Sequence, residues 1–179
     1  SNKKVWWKCS KGDDHEWEES IGNRSSGRNC PYCSGHKLSL TNTLDVKHPD
    51  IAKELHPTKN NGLDPTKVYF GSLKKAWWKC INNDEHIWET RIFDRVRNKS
   101  CPFCLNMRVN QSNCLATTHP KLAKEWHPNK NKNISPSSIV FGSTKKVWWK
   151  CPKGDDHEWK ANVVNRSKGV GCPICSGHK

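Results

Sequence analysis

A chain of 179 residues with 33% hydrophobic residues and a formal charge of +14 has too few aliphatic side chains for one large core, and it contains no stretch long and apolar enough for a membrane span or a signal h-region. Ten tryptophans and ten cysteines have to supply the missing stability, the first by indole burial and the second by disulfides or metal. The positive charge points away from acidic or membrane-embedded partners and towards polyanions.

The first predicted element is a strand over residues 4–8. Val5, Trp7 and Cys9 alternate with Lys4, Trp6 and Lys8, so Trp7 is expected to face a core and Trp6 to be available at the surface. Lys11-Gly12-Asp13-Asp14 is a turn, after which His15-Glu16-Trp17-Glu18 alternates again and places Trp17 beside the histidine as a shield. A return strand carrying Ile21 towards Arg24 is expected next, followed by the Cys30-Pro31-Tyr32-Cys33 knuckle. Further on, Pro49 suits the first turn of a short helix with an apolar face of Ile51, Ala52 and Leu55, stopped by Pro57. Asp64-Pro65 marks a second helical start, and Phe70-Gly71-Ser72 leads into another Trp-Trp strand.

From there the pattern repeats at an offset of 71 residues without insertion or deletion. Lys75-Ala76-Trp77-Trp78-Lys79-Cys80, His86-Ile87-Trp88, Phe93, Arg95 and Cys101-Pro102-Phe103-Cys104 form the second copy. Lys146-Val147-Trp148-Trp149-Lys150-Cys151, His157-Glu158-Trp159, Val164, Arg166 and Cys172-Pro173-Ile174-Cys175 form the third. Self-similarity of this kind overrides a domain count taken from length. Residues 1–37, 72–108 and 143–179 are expected to be compact modules, and 38–71 and 109–142 helical connectors, each helix packed on a neighbouring module. Both ends fall mid-pattern, which is the expectation for an excerpt of a longer protein.

Nine cysteines fall into three identical sets of three, and an odd number cannot pair internally. Adding the repeated histidine makes four ligands per copy: Cys9, His15, Cys30 and Cys33; Cys80, His86, Cys101 and Cys104; Cys151, His157, Cys172 and Cys175. A Cys-x-x-Cys turn paired with a second half-site is a strong zinc signal, so three structural Zn²⁺ ions per chain are expected, in a reducing intracellular compartment such as cytoplasm, nucleus or a virion. The tenth cysteine, Cys114, aligns with Thr43 and is read as a small buried or free thiol. The fold expected is small and α+β, metal-stabilised, with a short β-hairpin and a short helix per repeat. Four protein ligands leave no open position for activated water, so the chain is not read as an enzyme.

Taken together, the Trp-Trp-Lys-Cys, His-x-Trp and Cys-Pro-x-Cys motifs and the His119-Pro120-Lys121-Leu122-Ala123-Lys124-Glu125-Trp126-His127-Pro128 stretch resemble the tandem zinc-ribbon or treble-clef-like domains found in large DNA viruses, bacteria and some plants. The resemblance covers essentially the whole chain. It implies zinc bound by Cys, His, Cys and Cys and, through the nuclease-like neighbours of some members, contact with nucleic acid.

Charge adds to that expectation. Residues 1–71 carry 11 Lys/Arg against 9 Asp/Glu, residues 72–142 carry 12 against 5, and residues 143–179 carry 8 against 3. The residues expected to touch nucleic acid are Lys4, Trp6, Lys8 and Arg24, then Lys75, Trp77, Lys79 and Arg95, then Lys146, Trp148, Lys150 and Arg166, with lysines neutralising phosphate beside a stacking indole. Each arginine has a second reading, as a hydrogen-bond donor to a carbonyl or a glutamate near the metal. A regular offset suits a helical polymer, which favours DNA over RNA. The alternatives are a protein-interaction or structural scaffold, and an accessory targeting region of a nuclease.

Overall fold

The computed structural model describes residues 1–177; His178 and Lys179, the last two positions of the expected module 143–179, lie outside the described residues. The chain divides into two compact units, Ser1–Lys99 and Ser100–Lys179.

The first unit opens with strands β1 (Lys4–Lys8) and β2 (Glu16–Ser20), antiparallel with Trp7 opposite Trp17. Helix α1 (Ile21–Ser25) follows directly. Single-turn helices α2 (Leu44–Lys47) and α3 (Pro49–Ala52) and a 3₁₀ turn at Pro65–Lys67 lead to a second hairpin. Its strands β3 (Lys75–Cys80) and β4 (Asn83–Arg91) place Trp78 opposite Trp88, and α4 (Ile92–Arg97) closes the unit. Alternation in β3 runs as expected: Ala76, Trp78 and Cys80 are buried while Lys75, Trp77 and Lys79 turn outward, as a period of two requires. Trp78 is fully buried, and its indole N–H donates to the Thr90 carbonyl at 3.1 Å.

In the second unit the same elements recur as α5 (Leu115–Thr118), α6 (Pro120–Ala123), a 3₁₀ turn at Pro136–Ser138, β5 (Lys146–Lys150), β6 (Glu158–Asn162) and α7 (Val163–Ser167). Leu115, Ile139, Val147, Trp149, Trp159 and Val163 form its core, with Leu122, Trp126 and Phe141 packed against it. Cys114 is fully buried and bridges Val140 as Thr43 bridges Tyr69 in the first unit, so it serves as a small core residue.

Two expectations about elements need correction. The return strand towards the arginine is a short helix in every copy. Its burial follows a period of three, not two: Ile92 and Arg95 are buried and Phe93 between them is exposed, and Val163 and Arg166 repeat the pattern. A hydroxyl starts the first of these helices, Ser20 accepting from the Asn23 amide at 3.2 Å, as an N-cap does. The single connector helix is also two separate turns. His48 precedes a proline, which disfavours the α region, and it sits at φ −144°, ψ 65° between α2 and α3.

Beyond α3 the connector stops being helical and runs along the outer edge of the following hairpin. Lys79 N–H donates to the Glu54 carbonyl at 2.7 Å and His56 N–H to the Trp77 carbonyl at 2.9 Å. The Asn60 side chain accepts from the Trp77 amide at 2.8 Å and donates to the Trp77 carbonyl at 2.9 Å. In the second unit Lys150 N–H bonds the Glu125 carbonyl, His127 N–H bonds the Trp148 carbonyl, and Asn131 brackets Trp148 in the same way. Each connector thus adds a short third strand, bridging Leu55 to Trp78 and Trp126 to Trp149. β1 has only Ser1–Lys3 ahead of it in the chain, and its Trp7 is half-buried where Trp78 and Trp149 are fully buried. No helix among the described residues is long and apolar enough to cross a membrane.

Candidate metal centres and basic faces

Each hairpin brings one cysteine from the end of its first strand and one histidine from the start of its second to the same end, where the Cys-x-x-Cys turn meets them. In all three sets, Cys9, His15, Cys30 and Cys33, then Cys80, His86, Cys101 and Cys104, then Cys151, His157, Cys172 and Cys175, the four donor atoms lie within 4.8 Å of one another. All ten cysteines are free thiols. Four ligands tetrahedrally arranged at the usual Zn–S distance have sulfurs about 3.8 Å apart. Cys9 and Cys33 sulfurs are 3.7 Å apart, as are those of Cys151 and Cys175. The donor set therefore fits zinc in both chemistry and spacing. A bound zinc ion supplies a cross-link between hairpin and knuckle that so small a core lacks.

Local chemistry prepares these ligands. His15 turns Nδ1 to the sulfurs, 3.7 Å from Cys30 and 3.6 Å from Cys33. Its Nε2 lies 3.1 Å from the Ser39 hydroxyl and 2.9 Å from that of Thr41, partners that fix the tautomer and ring orientation. Tyr32 stacks on the imidazole at 5.0 Å. Gly12 and Gly154 are required by close approach, since a β-carbon at either would stand 2.7 Å from the ligand histidine ring. The middle copy has Asn83 there and reverses differently, through a register shift at Lys79/Cys80. Hydrogen bonding to His15, with the Lys11 amide assisting, lowers the Cys9 thiol to about 7, while burial and neighbouring thiols push Cys33 up to about 11. Burial raises Cys172, but backbone amides of Cys175 and Ile174 outweigh it and leave that thiol below its usual value. Those amides are the N–H groups expected of a Cys-x-x-Cys knuckle.

Of the residues expected to meet nucleic acid, Lys4, Lys75 and Lys146 are exposed on the outer face, as is Lys8. Lys79 and Lys150 are half-buried beside the connector edge. Lys8 pairs with Glu16 at 3.0 Å, Lys75 with Glu89 at 3.4 Å and Lys79 with Asp84 at 2.8 Å, exposed pairs of the kind worth little to stability. Trp6 is 74% exposed, whereas Trp77 and Trp148 are half-buried beneath cations: Lys59 stands 4.7 Å over Trp77, and Lys130 and Lys160 stand 4.7 and 5.1 Å from Trp148.

The arginines are placed differently from the surface reading. Arg95 is 3% exposed, lies 6.0 and 5.8 Å from the Trp78 and Trp88 rings, and pairs with Glu54 at 2.5 Å. Arg166 is 6% exposed, 5.2 Å from both Trp149 and Trp159, and pairs with Glu125. Arg24 stacks at 5.0 and 5.5 Å on Trp7 and Trp17 and donates to the Arg28 carbonyl. The expectation that Arg95 and Arg166 reach a ligand is corrected, because each guanidinium is enclosed by two indoles and held by a connector glutamate. Sequence reasoning missed Glu54/Glu125, Lys59/Lys130 and Asn60/Asn131, although all three pairs recur at the 71-residue offset.

Comparison with curated proteins yields no match. A family described as a "Probable Treble clef zinc finger domain" matches residues 1–36, 51–107 and 122–178. Its second and third matches each begin in a connector and end in the following zinc module, the pairing that the edge strand makes in space. The chain belongs to this treble clef zinc finger family, in three tandem copies, each with a Cys₃His site suited to zinc.

Proposed function

We propose that the chain is a non-catalytic zinc-finger array that binds nucleic acid, duplex DNA in preference to RNA, through the lysine-lined faces around its outward tryptophans. The observation that carries this reading is a groove that recurs in both units between the connector loop and the outer face of the hairpin. In the first unit it encloses about 490 Å³ beside Lys59, Lys67, Lys74, Lys75 and Trp77. In the second it encloses about 320 Å³ beside Lys130, Lys132, Lys146, Trp148 and Lys160. Lysines around an indole edge are the parts of a site in which phosphate is neutralised and a sugar or base packs on the ring. The binding surface is then Lys4, Lys8, Lys75, Lys79, Lys146 and Lys150 with the outward tryptophans, without Arg95 and Arg166.

The test is an anisotropy titration of the zinc-loaded chain against labelled duplex DNA, single-stranded DNA and RNA over a range of salt. Binding to duplex should fall steeply with salt, and the Lys130→Ala/Lys146→Ala double variant should lower the slope by about 0.9 for each phosphate no longer neutralised while keeping its zinc. Absence of binding to all three polymers at low salt would remove this reading, and so would a double variant indistinguishable from the parent.

A further inference from the structure

The three hairpins share a sequence but not the same surroundings. The outer edges of β3 and β5 are each completed by a connector of the form Lys-Glu-(Leu/Trp)-His-Pro-x-Lys-Asn, residues 53–60 and 124–131. In each, the glutamate carbonyl takes the strand's Lys N–H, the His N–H reaches the Trp carbonyl, and the Asn side chain brackets the outward Trp. The glutamate carboxylate holds the buried arginine, and the Lys covers the outward indole.

β1 has the same Lys-Val-Trp-Trp-Lys-Cys sequence as β5 and none of these partners. Ser1 and Lys3 are occupied with α1, accepting from the Gly22 and Ile21 amides. Three independent features mark the difference. Trp6 is 74% exposed; Trp7 is half-buried where its counterparts are fully buried; and Arg24 has no carboxylate within ion-pair distance among the described residues, although it stacks on its two indoles as Arg95 and Arg166 do. Its Nε is buried without a partner, a feature it shares with Arg166.

We propose that the outer edge of β1 is a docking site for a peptide segment of connector chemistry, Lys-Glu-apolar-His-Pro-x-Lys-Asn, which adds as an antiparallel strand with its glutamate on Arg24 and its asparagine on Trp6. The requirements are those of strand addition: alternating donors and acceptors give affinity, and the placed side chains give specificity. A peptide fits better than a nucleic acid here. The edge offers a carbonyl as well as N–H groups, Lys8 already pairs with Glu16, and residues 1–71 carry the smallest positive excess of the three copies. This inference stands independently of the nucleic-acid reading, which rests on the Trp77 and Trp148 grooves.

The experiment titrates the zinc-loaded full chain, labelled with ¹⁵N, with a synthetic peptide of residues 48–62, which contains no tryptophan. Saturable shifts are expected at the Trp6 and Lys8 amides, the Trp6 indole and the Arg24 side chain. A peptide carrying Glu54→Gln should bind about tenfold more weakly, the effect of losing one charge-assisted hydrogen bond. Trp6→Ala, at an exposed position, should weaken peptide binding while zinc content stays at three ions; the peptide variant keeps the test decisive whatever that substitution does to folding. The proposal is overturned by no shift at millimolar peptide, by equal binding of the Glu54→Gln peptide, or by shifts confined to β3 or β5, which would mean exchange with a resident connector. Concentration-dependent shifts at Trp6 without peptide would assign the edge to a second copy of the chain. Shifts there with duplex DNA but not with peptide would assign it to nucleic acid.

Discussion

The arginine is the residue through which each zinc module is joined to its connector. Arg95 is held face-on by two indoles and end-on by Glu54, so removing the carboxylate leaves a charge enclosed by aromatic rings. Breaking a buried pair from one side is far more costly than never having formed it. Glu54→Gln is expected to destabilise the zinc-loaded chain by about 3 kcal/mol, measured by urea titration. A change within the range of an exposed pair, below about 1 kcal/mol, would show that the pairing is incidental. Glu158 illustrates the weaker kind of interaction. Hydrogen bonds from Lys130 and then His127 lower its carboxyl below the usual value, so what it contributes is present above the ordinary carboxylate pKa and is lost as pH falls through the lower folded value.

Among the elements, the decisive one is the edge strand made by residues that look like loop. Pro57 and Pro128 and the Asn/Lys-rich stretches after them read as helix stops and connection, because the strand they form has no period of its own. Its bonds are set by the hairpin it lies against. Asn131→Ala removes a side chain that bonds both the N–H and the carbonyl of Trp148. Leaving partly buried backbone groups unpaired costs about 1–3 kcal/mol, and hydrogen exchange at the Trp148 and Lys150 amides should accelerate while the metal set of β5 and β6 keeps its ion. Unchanged exchange at Trp148 would mean that the connector docks by packing alone. The return helices are hard to read in the sequence for a related reason. A buried Ile–Arg or Val–Arg pair three residues apart is a helical signal only once the arginine is known to face inward.

For the whole molecule, metal is the main source of cohesion, since no unit holds a large aliphatic core. Three zinc ions per chain are expected by elemental analysis at about pH 7.5, with loss of ordered tryptophan signals on chelation. Protons compete for thiolates and imidazole, so affinity rises with pH and acidification to about pH 5 should strip metal and structure together. A different metal count, or tertiary signals that survive chelation, would contradict this picture. The ligand sets, the repeat and the two faces of the Trp-Trp strand were determined by sequence alone, because a fourfold donor set and a period of two are local patterns that a 71-residue repeat presents three times. Tertiary structure decided which tryptophans are buried, where the arginines point and which module each connector serves. Those outcomes depend on what lies against a strand's outer edge, and identical Trp-Trp-Lys-Cys segments differ in burial because β3 and β5 meet a connector there and β1 does not.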